Sequence, residues 1–196
     1  MSDITRCPWC GTDPIYVDYH DQEWGVPEYN SRALWEKMVL DGFQAGLSWI
    51  TILKKRDNFR IAFDGFDPVI IGNYNEEKIN SLLSDPGIIR HRGKIEATIR
   101  GAQLWQEIEA QEGFADYLWG FVGDAPIQNT FATIADVPTS TPLSETISKD
   151  LKAKGFRFVG PTIIYAFMEA VGMVNDHLTS CHRHAAVAGL PPRHRA

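Results

Sequence analysis

Two pairs of cysteine and histidine at opposite ends of the chain place the strongest constraint on its fold. Cys7 and His20 come early in the 196 residues, and His177 and Cys181 come near the end. Thiolate and imidazole groups in a closed set of four suit Zn²⁺, and a closed set leaves no open position for a water molecule. If all four residues bind one ion, the two ends of the chain must meet at a structural site.

Sequence spacing supports the second pair as metal ligands better than the first pair. His177 and Cys181 are four residues apart, so on a helix they would face the same way. Cys7 and His20 follow no such rule, and a buried cysteine often serves only as a small hydrophobic residue. Spacing alone therefore leaves other ligand combinations open. The neighbouring candidates are Cys10, His182 and His184.

Apolar residues repeat with helical spacing along most of the chain, which predicts an all-α fold. The repeat is clear over residues 79–83, 95–102 and 114–122, and we find no strand-like alternation and no internal repeat. Hydrophobic residues make up 44% of the sequence, enough for one sizeable core. We therefore expect a single domain over 1–182 and a flexible tail over 183–196.

One junction between two predicted helices has a distinctive sequence. The first helix should begin at Pro142, with Thr141 as its N-cap, and end at Gly155; the second should begin after Gly160. Glycines permit positive φ and close approach, so a phosphate could bind the N–H groups of this link. A helix-hairpin-helix at about 142–172 is one interpretation. An ordinary corner between helices, with glycines only as caps, is the other.

Charge is distributed unevenly along the chain. The net charge of −6 argues against a protein that wraps nucleic acid through bulk positive charge. Residues 88–100 and 149–157, however, each carry four basic residues against one acidic residue. Such runs usually mark solvated helix faces, and they also suit contact with phosphates.

Aromatic residues are concentrated in the N-terminal quarter of the chain. Aromatic residues at this density mostly form core, but Asp41 and three small residues, Gly42, Ala45 and Gly46, accompany them. Stacked rings beside one carboxylate form a receptor for a flat, positively charged heterocycle. The five rings that could form such a receptor belong to Trp9, Tyr16, Tyr19, Trp24 and Trp49.

Six blocks of sequence, in order from about residue 6 to residue 181, carry a resemblance to a known family. They are Arg6-Cys7-x-Trp9; Asp13-Pro14-x-Tyr16-x-x-Tyr19-His20-Asp21-x-Glu23-Trp24-Gly25-Val26-Pro27; Gln44-Ala45-Gly46-Leu47-Ser48-Trp49-Ile50-Thr51; Gly87-Ile88-Ile89-Arg90-His91-Arg92-Gly93-Lys94-Ile95; Pro138-Thr139-Ser140; and Gly155-Phe156-x-Phe158-Val159-Gly160 through Val174-Asn175-Asp176-His177. Together they resemble the DNA-3-methyladenine glycosylase I family.

The resemblance implies a fold, a reaction and a cofactor. The fold would be an all-α helix-hairpin-helix glycosylase whose N- and C-terminal segments join at one structural Zn²⁺. The reaction would be hydrolysis of the N-glycosidic bond of 3-methyladenine in double-stranded alkylated DNA, with the nucleotide flipped out and without strand cleavage. The implied zinc ligands are Cys7, His20, His177 and Cys181.

The resemblance also implies roles for individual side chains. The five aromatic residues would form the base pocket, with Asp41 as the carboxylate that accepts hydrogen bonds from the base. Familiar members have a glutamate there, so the side chain of this chain is one methylene shorter. Leu47 would wedge into the vacated duplex. The other residues implied in DNA contact are Gly155, Phe158, Gly160, Arg90, Arg92 and Lys94.

Two further functions fit parts of the sequence. A catalytic-zinc hydrolase or deaminase would need an open metal position and a general base, for which Asp21, Glu23 and Asp176 are candidates. A non-catalytic module that binds damaged DNA would keep the hairpin and the pocket but release no base. Since the sequence shows neither a secretory leader nor an apolar run of about 20 residues, we expect a location in the bacterial cytoplasm without membrane contact. We also expect a monomer.

Overall fold

The computed structural model describes residues 4–191, which form a mostly helical protein. The α-helices within them are α1 (Pro14–Gln22), α2 (Ser31–Gln44), α3 (Trp49–Leu53), α4 (Arg56–Ala62), α5 (Pro68–Ile71), α6 (Glu76–Ser84), α7 (Arg92–Gln111), α8 (Phe114–Gly120), α9 (Pro142–Lys154), α10 (Pro161–Ala170) and α11 (His182–Ala188). Short 3₁₀-helices cover Pro8–Cys10, Asp64–Phe66 and Ile134–Asp136. Two strands of two residues each, β1 (Ile127–Gln128) and β2 (Val174–Asn175), pair in parallel. The helical prediction is confirmed, and strands this short carry no alternation that a sequence could show.

Helix α9 begins and ends where its local signals predict. The Thr141 hydroxyl accepts a hydrogen bond from the backbone N–H of Ser144 at 3.2 Å, which satisfies one free donor of the first turn. Gly155 ends the helix with a φ of 107°, a left-handed conformation that favours glycine. In the link that follows, the Ser148 hydroxyl donates to the carbonyl of Val159 at 2.6 Å. The link between α9 and α10 is therefore held against α9.

Helix α2 lies at the centre of the core and approaches α7 closely. The Trp35 ring of α2 is 2% exposed and lies over Gly101 of α7. A Cβ at Gly101 would be 2.9 Å from the Trp35 Cη2 atom, closer than side chains pack. The absence of a side chain at residue 101 therefore allows the close spacing of the two helices.

The segment after α1 docks on the end of α10, which brings the two halves of the sequence together. The backbone N–H of Gly25 donates to the carbonyl of Glu169 at 3.1 Å. Gly172 has a φ of +69°, and a Cβ there would be 2.5 Å from the backbone nitrogen of Pro27. This close backbone contact needs glycine, because a side chain would collide with main-chain atoms that cannot move aside.

The predicted tail is corrected in part, because its first residues are helical. Helix α11 covers His182–Ala188, and the Asn175 side chain donates to the carbonyl of His184 at 3.1 Å. This bond holds α11 against β2. Residues 192–196 of the predicted tail lie outside the described residues. No helix in the described range 4–191 is long and apolar enough to cross a membrane.

Candidate functional site

The four cysteine and histidine residues from the two ends of the chain meet in the interior. The ligand atoms of Cys7, His20, His177 and Cys181 all lie within 4.8 Å of one another. The Cys181 sulfur is 3.5 Å from His20 Nε2 and 3.6 Å from His177 Nδ1, and the Cys7 sulfur is 3.7 Å from His177 Nδ1. With ordinary zinc bond lengths, sulfur and nitrogen ligands of a tetrahedral ion lie about 3.6 Å apart. The donor atoms and their spacing therefore fit one Zn²⁺.

The outer ring nitrogens of both histidines are held by neighbours. His20 Nδ1 lies 2.7 Å from the Asp21 carboxylate, and His177 Nε2 lies 3.0 Å from the carbonyl of Trp24. Such contacts fix the tautomer and point the other ring nitrogen at the cluster. The Arg6 guanidinium, at 2.7 Å, lowers the pKa of Asp21 to about 2. Asp21 thus orients the His20 ring and is poorly suited to act as a general base.

The other nearby cysteine and histidines lie outside this cluster. The Cys10 thiol donates to the carbonyl of Cys7 at 3.2 Å, and the His184 ring contacts the carbonyl of Asn129 at 2.9 Å. His182 contacts the carbonyl of Thr5. A hydrogen bond between the two clustered thiols lowers the pKa of Cys181 and raises the pKa of Cys7.

The five predicted aromatic residues line one cleft of about 640 Å³ together with Asp41. The ring of Trp9 lies 5.1 Å from that of Tyr16 and 4.9 Å from that of Trp24, measured between centroids. The rings of Tyr19 and Trp49 are 5.4 Å apart. The structure thus brings together side chains from the first 3₁₀-helix, α1 and the turn after it, α2 and α3, which the sequence separates by up to 40 residues. We call this cleft the base pocket.

The carboxylate of Asp41 is 1% exposed, and only one of its oxygens has a partner among the described residues. Oδ1 accepts a hydrogen bond from the ammonium of Lys37, and Oδ2 is buried without a partner. Burial raises the pKa of Asp41, and Lys37 opposes the rise. The indole N–H groups of Trp9 and Trp49 also lack partners among the described residues. The base pocket is therefore lined by residues with buried polar atoms that have no hydrogen-bond partner among the described residues.

The link between α9 and α10 lies beside the C-terminal end of α2. A Cβ on Gly42 would be 3.6 Å from the Cβ of Phe158, whose own φ of 58° marks a tight turn. The loop after α2 turns at Gly46, with a φ of +83°, and leaves Leu47 43% exposed. The predicted wedge residue and the predicted phosphate-binding link therefore lie on the same side of the protein.

The structure separates the three basic residues predicted to contact phosphate. Arg90 is exposed and has no ion pair or hydrogen bond within the described part of the chain. Arg92 pairs with Glu76 at 3.1 Å. Lys94 is 6% exposed, and its ammonium donates to the carbonyls of Phe43 and Ala45 at 2.8 Å each. Because its donors satisfy the carboxyl end of α2, Lys94 is not available to a phosphate, which corrects that part of the prediction.

The sequence profile of the methyladenine glycosylase family matches residues 9–184 of the chain. The chain belongs to the methyladenine glycosylase family. The DNA-3-methyladenine glycosylase 1 of Escherichia coli strain K12 is 51% identical over 179 residues, covering 91% of this chain and 96% of that protein.

Solved structures of the same family share the fold. A crystal structure of a 3-methyladenine DNA glycosylase I superposes with a TM-score of 0.90 at 52% identity, covering 92% of this chain and all of that one. A tyrosine-to-phenylalanine variant of a 3-methyladenine DNA glycosylase I, in complex with 3-methyladenine, gives a TM-score of 0.88 at 36% identity. That match covers 97% of this chain and 99% of the other.

Sequence reasoning missed several residues that line the base pocket of this methyladenine glycosylase. Two of the missed residues carried a signal. Lys37 precedes Asp41 by four residues, so the two share a helix face, and Glu169 is the lone charged residue of the apolar helix α10. Burial, followed by the nearby Asp176, raises the pKa of Glu169 well above its usual range. The full missed set is Lys37, Gln44, Ile134, Ala166, Glu169 and Ala170.

Proposed function

We propose that this chain is a DNA glycosylase that removes 3-methyladenine from alkylated double-stranded DNA by hydrolysis. The observation that carries the proposal is the base pocket, in which five aromatic residues surround a buried carboxylate with one unpartnered oxygen. Its E. coli relative bears the name DNA-3-methyladenine glycosylase 1, and one solved relative holds 3-methyladenine itself. Family membership and pocket chemistry therefore support the same substrate.

The pocket suits the charge of the alkylated base. Methylation at N3 makes the purine in the nucleotide cationic, and a cation is attracted to the faces of aromatic rings. Trp49 and Tyr19 supply such faces, and Asp41 Oδ2 can accept a hydrogen bond from the exocyclic amino group. An unmodified adenine lacks the positive charge, so it gains less from the same rings and carboxylate.

The chemistry needs little machinery from the protein. In the cationic nucleotide the N-glycosidic bond is already weak, and its electron pair returns to the ring so that the base departs neutral. Water adds to the anomeric carbon and gives its proton to solvent. The tasks of this chain are to hold the flipped base between aromatic walls, orient it through Asp41 and keep bulk water off the base. A strong general acid and a lysine nucleophile are unnecessary.

We further propose that α9, the link over 155–160 and α10 act as a helix-hairpin-helix that binds the DNA backbone. Backbone N–H groups at the start of α10 favour an anion, and Gly155 and Gly160 keep side chains away from the approach. Leu47 would fill the space that the flipped nucleotide leaves in the duplex, since it is exposed beside the same link. Unstacking one nucleotide costs a few kcal/mol, and such contacts offset that cost.

We also propose that the clustered Cys7, His20, His177 and Cys181 hold one Zn²⁺ in a structural role. Four protein ligands with the spacing of a tetrahedral ion support a closed site rather than a catalytic one. A bound ion would crosslink the N-terminal segment to the C-terminal segment. The residues of the base pocket, and not the metal ligands, would then act on the nucleotide.

The deciding experiment is the release of free base. Purified protein is incubated with a duplex methylated by an alkylating agent, and released 3-methyladenine is separated and quantified. Asp41→Asn should reduce the rate roughly 10- to 100-fold, the loss expected for one hydrogen bond to a charged group. Asp57→Asn, at a side chain 90% exposed on α4, is the matched control and should leave the rate unchanged. Tight binding of methylated DNA without base release would instead indicate a damage-binding module.

A catalytic-zinc hydrolase would be indicated by a metal-bound water and by loss of activity in a folded, metal-free protein. The candidate bases for that reaction are engaged elsewhere, since Asp176 accepts hydrogen bonds from Asn129 and Tyr165 and Glu23 pairs with Arg56. The monomeric state and the cytoplasmic location stay predictions.

A further inference from the structure

A lysine occupies the base pocket at the place where the charge of the substrate should lie. The Lys37 ammonium is 3.8 Å from the centroid of the Trp49 ring and hydrogen-bonds Asp41 one turn further along α2. Lys37 is among the residues that line the pocket, and its side chain is only 16% exposed. An ammonium over an aromatic face and against a carboxylate makes the two contacts that a cationic purine would seek there.

The Lys37 ammonium and a cationic base cannot both occupy the space between Trp49 and Asp41. Asp41 carries at most one negative charge, and the pocket is dry enough that burial lowers the pKa of Lys37. Among the other charged groups that act on Lys37, Glu23 and Arg56 carry charges that oppose each other. Glu169 also lines the pocket, but burial disfavours its charged form. A cationic base that enters would therefore meet one uncompensated positive charge unless Lys37 moved.

A second cleft next to the base pocket offers Lys37 a place to move. This cleft, of about 790 Å³, shares Tyr19, Lys37 and Ala170 with the base pocket. It contains more acidic than basic groups besides Lys37, because Glu23, Glu28 and Glu36 line it against Arg56 and Arg60. The four-carbon side chain of lysine can turn about its root on α2 and present the ammonium to either cleft.

We propose that Lys37 is a specificity-determining residue whose ammonium stands in for the positive charge of the lesion in the free protein and moves into the second cleft when the cationic base enters. This inference rests on the proposed function. Exchange of one cation for another keeps Asp41 paired throughout. A neutral base gains too little at Asp41 to displace the ammonium, so Lys37 competes with cationic ligands only. Return of the ammonium after bond cleavage would help to release the neutral product.

Binding of two matched small molecules tests the proposal without any turnover. The ligands are 3,9-dimethyladeninium, which carries the charge of the alkylated nucleotide, and neutral 9-methyladenine. Each is titrated calorimetrically against wild type, Lys37→Met and Lys37→Arg. Lys37→Met removes the internal competitor and should tighten binding of the cation roughly tenfold or more. The reason is that the apparent affinity of a ligand falls in proportion to the fraction of protein whose site is free to bind it. The neutral ligand should change by a clearly smaller factor, and Lys37→Arg should resemble wild type.

Lys78→Met is the matched control, because Lys78 pairs with Asp64 at 3.0 Å and lies 4.9 Å from the Tyr74 ring, remote from both clefts. An equal change for both ligands, or weaker binding of the cation to Lys37→Met, would overturn the proposal. A crystal structure with the cation bound and the ammonium still on Asp41 would do the same. If wild type releases 3-methyladenine, these results reject only the role of Lys37; if it neither binds nor releases methylated purines, the proposed function itself fails.

Discussion

Replacement of Cys181 by serine should lower stability far more than it lowers the chemistry of base release. The sulfur lies within 3.6 Å of both histidine rings of the cluster formed by Cys7, His20, His177 and Cys181, so serine would remove one of the four ligands of the proposed Zn²⁺. An ion bound by Cys7 and Cys181 closes a loop of roughly 175 residues, which the chain-entropy relation for crosslinks values at about 5 kcal/mol. That is a large share of the roughly 5–15 kcal/mol by which domains are stable.

The expected readout is a fall in Tm and the loss of one equivalent of zinc. For a chain of this length, 5 kcal/mol corresponds to a fall of about 10–20 °C. Thermal unfolding is followed by circular dichroism, and zinc is quantified by elemental analysis of the same samples. Base release is measured well below the lowered Tm, where the variant should keep most of the wild-type rate.

Cys10→Ser provides the control, because Cys10 is similarly buried but its thiol contacts only backbone carbonyls, that of Cys7 at 3.2 Å and that of Gly11 at 3.9 Å. It should keep its zinc and lose no more than the roughly 1 kcal/mol of one hydrogen bond. Equal losses of Tm in the two variants would refute the reasoning, since burial of a thiol rather than ligation would then explain both. A folded, zinc-free Cys181→Ser protein without activity would refute the division between structural cluster and base pocket.

Three other perturbations have defined outcomes. Gly172→Ala should destabilise by roughly 2–5 kcal/mol in denaturant titrations, because its Cβ would meet the backbone of Val26 at 2.6 Å and its φ is positive. Lys152→Ala, an exposed change on α9, should lower the salt slope of duplex binding by about 0.9 while leaving Tm unchanged; an unchanged slope would place the DNA elsewhere. The hydroxyl of Tyr74 lowers the pKa of Asp64, so this pair stabilises the fold above about pH 4 and the effect is lost as pH falls. The Tm difference between wild type and Asp64→Asn should therefore shrink as the pH falls below about 4; a difference that does not change with pH would contradict the assigned cause.

The features that could be predicted from the sequence are those with local signals. Helix α9 has an N-cap, a first-turn proline and a terminal glycine within one stretch, and each acts through neighbouring backbone groups. The base pocket was predictable for a different reason. Its aromatic residues belong to blocks of sequence that resemble the family, and the structure brings those blocks together.

Contacts between distant residues that no sequence motif marks could not be predicted. Lys94 belongs to a basic run, but its partners are the carbonyls of Phe43 and Ala45, about 50 residues earlier. Nothing in residues 88–100 indicates which face of α7 meets the end of α2. Helix α11 is similar, because the hydrogen bond from Asn175 to the carbonyl of His184 depends on where β2 ends. Composition near the C-terminus predicts a tail when such contacts are unknown.

The base pocket has one stiff side and one adaptable side. On the stiff side, the ring of Trp9 lies 5.3 Å from that of His20 and the ring of Trp24 lies 4.6 Å from that of His177, whose outer nitrogens are held by further partners. On the other side Lys37 borders two clefts with a side chain that carries about 2 kcal/mol of rotamer entropy. Selection of a flat base requires walls that do not move, whereas exchange of one positive charge for another requires a group that does. Substitutions in the Cys/His cluster should therefore change stability at nearly constant ligand preference, whereas substitutions at Lys37 should change ligand preference.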